Sequence, residues 1–169
     1  DSGTPLSFTD DYRFWAWPLA SAYIGRDLEY RSGSRNGGDS PFVGRSYQQF
    51  TPIKKVEFGD SVTVIGDKLF QYSASLGSIV FGDNVTEMLF AFRYCTALTV
   101  LEFPASVTTI KGAFNGCDNI SRVVCLGETP PTLSGGFPTK AILFVREGYL
   151  NAYQNAKEWR KNKKIIDAP

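Results

Sequence analysis

The sequence predicts an α/β repeat solenoid that is mostly β, a short right-handed coil of stacked parallel strands closed by a C-terminal capping helix. Apolar positions recur every 22 or 23 residues, and FRYCTALTVLEFPASVTTIKGAFNGCDNI (92–120) contains Phe-x2-Cys-x2-aliphatic twice. A third observation is an amphipathic segment near the C-terminus. We divide the chain into an aromatic-rich N-terminal extension or cap (1–42), the repeats (43–145), and a capping helix with a tail (146–169).

The strand of each repeat carries the pattern aliphatic-x2-aliphatic-x-aromatic. It recurs at steps of 23, 22 and 22 residues, with a cysteine replacing the last aromatic. The four copies are Ile53, Val56, Phe58; Leu76, Ile79, Phe81; Leu98, Leu101, Phe103; and Ile120, Val123, Cys125. Because all four copies keep this spacing, we predict one strand in each, stacked on the next.

Further columns lie downstream of each strand and keep the same register. They are Val62, Val85, Val107; Ile65, Met88, Ile110; Phe70, Phe92, Phe114; and Ser73, Cys95, Cys117. Parallel strands stack about 4.8 Å apart, so equivalent residues of successive coils lie above one another. Phe70, Phe92 and Phe114 are therefore expected to form a buried aromatic ladder.

The cysteines Cys95 and Cys117 share one column, with Ser73 at the same position in the first copy. This exchange indicates that a tight inner corner needs a small side chain rather than a reactive one. Stacking would also bring the two Cα atoms within bridging distance of a disulfide. Because both side chains point inward in parallel, we predict buried free thiols instead.

The sequence indicates where the repeats begin and where they end. Val43, Tyr47 and Phe50 stand where the equivalents of Ile110, Phe114 and Cys117 would fall in a coil before the first copy, which predicts a half-repeat starting near Phe42. Downstream, Pro130 and Pro131 break the frame, an apolar pair returns at Leu133 and Phe137, and AILFV (141–145) predicts a last strand.

The C-terminal segment EGYLNAYQNAKEWRKNKK has apolar residues at steps of three and four, which is typical of a helix with one buried face. The stripe is Tyr149, Ala152, Tyr153, Ala156 and Trp159. We predict that this helix covers the last coil, although such a stripe could also bind a ligand. The cations from Lys157 to Lys164 fit a solvated helix end.

The N-terminal extension is rich in aromatic residues: Tyr12, Phe14, Trp15, Trp17 and Tyr23. They either cover the N-terminal end of the solenoid or form a platform on which sugar rings or a partner stack, with Trp15 and Trp17 as candidate binding residues. Pro18 limits the segment before it to an edge strand. The turn-rich stretch 31–41 predicts a surface loop or linker.

Alternation along the predicted strands directs a second set of side chains outward. These candidate binding residues are Lys55, Glu57, Ser78, Val80, Val100, Glu102, Arg122 and Val124. The three valines would form an apolar patch with a charged rim, an arrangement that suits a protein interface. Valine also favours β structure wherever it stands in a strand, so the outward valines are explained either by a binding surface or by strand propensity alone.

Composition excludes several classes of function. The 18 Lys and Arg nearly balance 17 Asp and Glu, so no charge surplus indicates nucleic acid. The chain has no histidine, which excludes Ser-His-Asp catalysis and histidine-ligated zinc, and three cysteines are too few for an all-thiolate zinc site. No phosphate-binding glycine loop is present. We therefore expect no catalytic residues, no metal and no cofactor. No apolar run approaches the roughly 18 residues that span a bilayer.

The repeats resemble the BspA-like bacterial leucine-rich repeats. Residues 98–120, LTVLEFPASVTTIKGAFNGCDNI, match that unit at Pro104, Val107, Phe114 and Cys117, and TPPTL followed by a strand and a helix is similar to the family's usual ending. The resemblance covers residues 43–166. In the first two copies Gly59 and Gly82 replace the proline, and Arg146 stands where proline is expected.

The resemblance implies a secreted or outer-surface bacterial protein, frequent in gut anaerobes, often lipid-anchored, and used for attachment or recognition. Family members share no catalytic site. The chain begins at Asp1 without methionine, so it looks processed or trimmed, and a lipid anchor upstream of Asp1 is what the resemblance alone implies. We expect a non-enzymatic module that binds a host or bacterial surface protein or glycan. The alternatives are a carbohydrate-binding module that uses the N-terminal aromatics and a structural spacer of a larger assembly.

Overall fold

The computed structural model describes residues 6–8, 20–30, 42 and 53–168. Short strands dominate this part of the chain. They are β1 (Leu6–Phe8), β2 (Ser21–Ile24), β3 (Leu28–Tyr30), β4 (Lys55–Phe58), β5 (Val64–Ile65), β6 (Ser78–Val80), β7 (Glu87–Leu89), β8 (Val100–Phe103), β9 (Thr109–Lys111), β10 (Arg122–Cys125), β11 (Thr132–Ser134), β12 (Ile142–Val145) and β13 (Lys164–Asp167). The single α-helix among these residues is α1 (Leu150–Asn155), and a 3₁₀ helix follows at Trp159–Lys161.

The strands stack in parallel as successive turns of a coil. The first strands of the turns form two sheets, in the orders β2-β4-β6 and β13-β12-β10-β8. The second strands form a third sheet, in the order β11-β9-β7-β5, and β1 pairs with β3. The predicted fold class, a mostly β solenoid of stacked parallel strands with a C-terminal helix, is therefore confirmed.

The register of the strands follows the repeat spacing. Val123 of β10 lies opposite Leu101 of β8 and Leu143 of β12, and Val56 of β4 lies opposite Ile79 of β6. The predicted core columns are buried between the sheets, with Ile79 alone among them only partly covered. Because each turn pairs with the one before it, repeats of nearly equal length bring equivalent residues opposite one another in every pair of strands.

The aromatic ladder is present as predicted. Phe92 stacks on Phe70 with ring centroids 5.7 Å apart and on Phe114 at 5.5 Å. One step below, Phe42 stacks on Phe70 at 4.8 Å. The predicted half-repeat had placed Tyr47 at that position. Tyr47, like Val43 and Phe50, lies outside the described residues.

The N-terminal extension contributes a further strand to the solenoid. Strand β2 pairs with β4, with Ala22 opposite Val56 and Ile24 opposite Phe58. Nearby, one carboxylate oxygen of Asp27 accepts hydrogen bonds from the backbone N–H groups of Thr63 and Val64, at 2.8 and 3.0 Å. Residues 21–27 therefore cover the N-terminal side of β4 and β5, whereas Trp15 and Trp17 lie outside the described residues.

The C-terminal cap differs from the long helix that the sequence predicts. The helix ends at Asn155 because Ala156 is extended (φ −71°, ψ 123°), and Ala152 of the predicted apolar stripe is exposed. Trp159 lies in the 3₁₀ helix, and the chain then returns as β13, which pairs with β12. The cap is thus a short helix, a 3₁₀ turn and a strand. Each covers part of the last coil.

Two aromatic side chains hold this cap in place. The Tyr153 hydroxyl donates to the Gly127 carbonyl at 2.9 Å, and Trp159 Nε1 donates to the Pro131 carbonyl at 2.7 Å. Trp159 also packs edge-on against Phe137, with centroids 4.8 Å apart. Both side chains are buried, so Tyr153 and Trp159 serve packing, as predicted, whereas Tyr149 of the same stripe is only partly buried.

Candidate interaction surface

The candidate site is the solvent face of the two sheets β2-β4-β6 and β13-β12-β10-β8, and we call it the strand face. Five large hydrophobic side chains of the described residues are exposed, and all lie on this face or directly after one of its strands. They are Tyr23, Val80, Val100, Leu126 and Ile142. Exposed apolar side chains gathered on one face are typical of an interaction surface.

Most of the predicted outward residues do lie on the strand face. Lys55, Ser78, Val100 and Arg122 occupy equivalent positions in successive first strands, and all four are exposed. Val80 is 43% and Val100 47% exposed. The set alternates with buried residues, which is the pattern on which the prediction relied.

The charged members of the predicted set have different partners. Lys55 Nζ lies 3.4 Å from a carboxylate oxygen of Glu57, and the Arg122 guanidinium lies 4.4 Å from the centre of the Phe144 ring. Glu102 is exposed and has no cationic partner among the described residues. The strand face therefore carries one acidic group that is not neutralised within the described chain.

The prediction that Val124 is exposed is wrong. Its side chain is only 9% exposed, although it stands in the outward column. In register it lies between Glu102 and Phe144, two large side chains on the neighbouring strands. The predicted valine patch is therefore interrupted at its third member.

Three exposed apolar residues of the strand face were not among the residues predicted to bind there. Ile142 points outward from β12, whereas Leu143 beside it is buried. Leu126 directly follows β10, and Tyr23 lies on β2. Alternation within AILFV could have identified Ile142, and the similarity of AYIG (22–25) to VEFG (56–59) could have placed Tyr23 on an earlier strand.

A cavity of about 260 Å³ opens at the carboxyl edge of the strand face. Its lining combines apolar side chains with two carboxylates: Ile79, Val80, Phe81, Asp83, Glu102, Pro104 and Leu126. The cavity lies where the first sheet ends at β6 and the next begins at β8. We call it the edge groove.

The turns after the second strands carry another aromatic column, which is structural. Tyr72 stacks on Tyr94 with centroids 5.0 Å apart. The Tyr94 ring then lies so close over Gly116 that a Cβ added there would be 2.3 Å from Cδ1. Both faces of Tyr94 are therefore covered, so its ring does not offer a free stacking platform.

The three cysteines are free and buried, as predicted for Cys95 and Cys117. Burial raises the pKa of Cys117 to about 12 and raises the pKa values of Cys95 and Cys125 as well. Because the thiolate is the nucleophile and the metal ligand, these protonated thiols are unsuited to either role at neutral pH. No group of three or more Cys, Asp and Glu side chains within the described residues could hold a metal ion.

A model of the BspA type leucine-rich repeat region matches residues 43–130 in six copies, which is just over half of the chain. The chain belongs to the BspA-type leucine-rich repeat family. A search of curated proteins gives no match.

A leucine-rich repeat protein from Bacteroides ovatus ATCC 8483 has a similar solved structure. The TM-score is 0.52 at 20% sequence identity, and the alignment covers 89% of this chain and 43% of that one. This likeness shows the fold. The chain spans less than half the length of that neighbour. Within the described residues, no helix is long and apolar enough to cross a membrane.

Proposed function

We propose that this chain is a recognition module that binds another protein through its strand face. The observation that carries the proposal is the gathering of all five exposed large hydrophobic side chains of the described residues on that face or at its edge. Charged residues such as Lys55, Glu102 and Arg122 lie among them, and an apolar surface within a polar rim suits a protein interface. Leucine-rich repeats are well suited to this role because stacking produces a continuous surface.

The module is proposed to be non-enzymatic. The leucine-rich repeat fold is generally a scaffold, and the buried thiols are held in the protonated form by the raised pKa values of Cys95 and Cys117. The strand face combines apolar and charged side chains without a histidine. Binding, rather than group transfer, is the chemistry that such a surface supports.

We place the protein outside a bacterial cell, secreted or attached to the outer surface, where proteins with BspA-type repeats are typically found. Its partner would then be a host or bacterial surface protein, and its role attachment. Protease treatment of intact cells that produce the full-length protein tests this placement. The repeats should be digested while a cytoplasmic marker survives, and protection of the repeats would contradict the placement.

Binding of the purified chain to a panel of host extracellular proteins and bacterial surface proteins tests the proposed function. We expect Val100→Glu to weaken a specific interaction about tenfold or more, because a charge replaces an apolar contact at the centre of the face. Thr96→Glu is the matched control, since Thr96 is exposed but lies in the turn before β8. Equal binding by the two variants would contradict the proposal.

A carbohydrate-binding role is the second candidate, and Tyr23 favours it. This side chain is 69% exposed, and its hydroxyl lies over Gly59, where an added Cβ would be 2.3 Å away. A ring supported on one side and open on the other can stack on a sugar. Glycan binding that Tyr23→Ala abolishes and Val100→Glu preserves would favour this role. If neither a glycan nor a protein binds, the structural-spacer alternative gains support.

A further inference from the structure

We propose that the edge groove binds a peptide segment of the partner that carries a large apolar side chain next to an arginine or lysine. The inference rests on the proposed function and specifies which side chains the partner presents to the groove. The groove supplies the apolar contact, and Asp83 and Glu102 supply the charge. It is distinct from the centre of the strand face, where Val100 lies.

The shape of the groove follows from a change along one column of the solenoid. Gly59, Gly82, Pro104 and Leu126 occupy one column, each directly after the last residue of the strand pattern (Phe58, Phe81, Phe103 or Cys125). At this one position, two turns that carry glycine are therefore followed by two turns that carry a bulky side chain. The step between them, at the break between β6 and β8, leaves the space of about 260 Å³.

The apolar part of the groove is accessible. Val80 and Leu126 are 43% and 41% exposed, while Phe81 beneath them is 9% exposed. A partner side chain inserted here would remove apolar surface from water on several sides at once. Such a pocket is the usual site of an interface anchor, typically one aliphatic or aromatic residue.

The charge of the groove selects among apolar peptides. Asp83 and Glu102 are exposed and have no ion-pair partner within the described residues, whereas Glu57 pairs with Lys55 and Glu128 pairs with Arg146. Two carboxylates that no cation of the described residues pairs with favour a cation beside the inserted side chain. They also disfavour acidic peptides, because like charges in contact are repelled.

Selection from a random peptide library displayed on phage tests the proposal, with the purified chain as bait. Enriched peptides should carry a large apolar residue next to Arg or Lys. A synthetic peptide of this kind should bind about tenfold more weakly to Glu102→Lys and to Leu126→Ser, measured by fluorescence polarisation. Asp118→Lys is the matched charge reversal away from the groove, and it should bind as the parent does.

Three results would overturn the inference: no enriched peptide, enriched peptides without a basic residue, or equal binding to Glu102→Lys and Asp118→Lys. Circular dichroism of each variant excludes loss of folding as the cause. The inference and the proposed function fail separately. If Val100→Glu abolishes binding to a partner protein while both groove variants bind it normally, the strand face stands as the binding surface and the groove does not.

Discussion

At the residue scale, the hydrogen bonding at one inner turn of the coil explains why serine and cysteine both occur at the equivalent positions 73, 95 and 117. Ser73 Oγ donates to the Phe42 carbonyl at 3.2 Å, and Cys95 Sγ lies 3.1 Å from the Phe70 carbonyl. Cys117 Sγ repeats the contact one turn later, 3.0 Å from the Phe92 carbonyl. The corner therefore needs a small side chain that also donates a hydrogen bond, which refines the prediction from size alone.

The buried thiols predict a loss of stability in alkaline solution. Burial raises the pKa of Cys117 to about 12, whereas the pKa of a thiol in the unfolded chain is about 8.5. Above about 8.5 the unfolded chain binds fewer protons than the folded one, so the free energy of unfolding should fall as the pH rises. Urea denaturation between neutral pH and about pH 10 measures this fall.

A serine at this position is the matched comparison. Cys117→Ser retains the donor, as Ser73 shows, but removes a group that titrates. Its free energy of unfolding should therefore fall less steeply over the same pH range. An unchanged slope would show that the thiol is not the group responsible.

At the element scale, the turns after the first strands determine how closely successive coils approach. A Cβ added at Gly82 would lie 2.6 Å from the Gly59 carbonyl oxygen and 2.9 Å from that of Phe58. One turn later the same position holds Pro104, which the family unit prefers. Gly82 thus departs from the repeat pattern because backbone atoms of the neighbouring turn fill the space of a side chain.

This close approach predicts that Gly82→Ala destabilises the protein. Overpacking against backbone costs about 1–3 kcal/mol, since these atoms cannot rotate away as a side chain can. Gly77→Ala is the control, because its added Cβ would meet only the Ala97 carbonyl oxygen at 3.6 Å, an ordinary contact. Urea midpoints of the two variants should differ, and equal midpoints would refute the steric explanation.

At the scale of the whole molecule, stability depends on how the ends of the stack are covered. Each turn packs only on its neighbours, so an uncovered end weakens the adjacent turn first. At one end β2 and Asp27 cover β4 and β5. At the other end α1, Trp159 and β13 cover the last coil.

Trp159→Ala is predicted to destabilise the C-terminal turns more than the rest. The change removes the hydrogen bond to Pro131 and the ring contacts with Phe137 and Tyr153, a loss of about 3–5 kcal/mol for a buried aromatic residue. Hydrogen exchange should accelerate in β11 to β13 before it accelerates in β4 to β6. Arg160→Ala, an exposed neighbour, should change little, and uniform acceleration along the chain would contradict the nearest-neighbour picture.

The sequence by itself determined the repeating parts of this protein. Because every turn has nearly the same length, Phe70, Phe92 and Phe114 had to fall in one column, and the alternation in each strand placed Val80 and Val100 outside. The free thiols of Cys95 and Cys117 followed from the same stacking. These features depend on spacing and polarity, which a single sequence records.

The tertiary structure alone decided the features that depend on a neighbouring turn or on the ends. Phe144 beside Val124 covers a residue that alternation directs outward, and the extended backbone of Ala156 divides the cap into a helix, a 3₁₀ turn and a strand. The edge groove likewise exists because β6 and β8 belong to different sheets. Repeat spacing fixes which residues are equivalent. What each side chain touches depends on the particular residues of the adjacent turn, so burial and cavities appear only once the turns are packed.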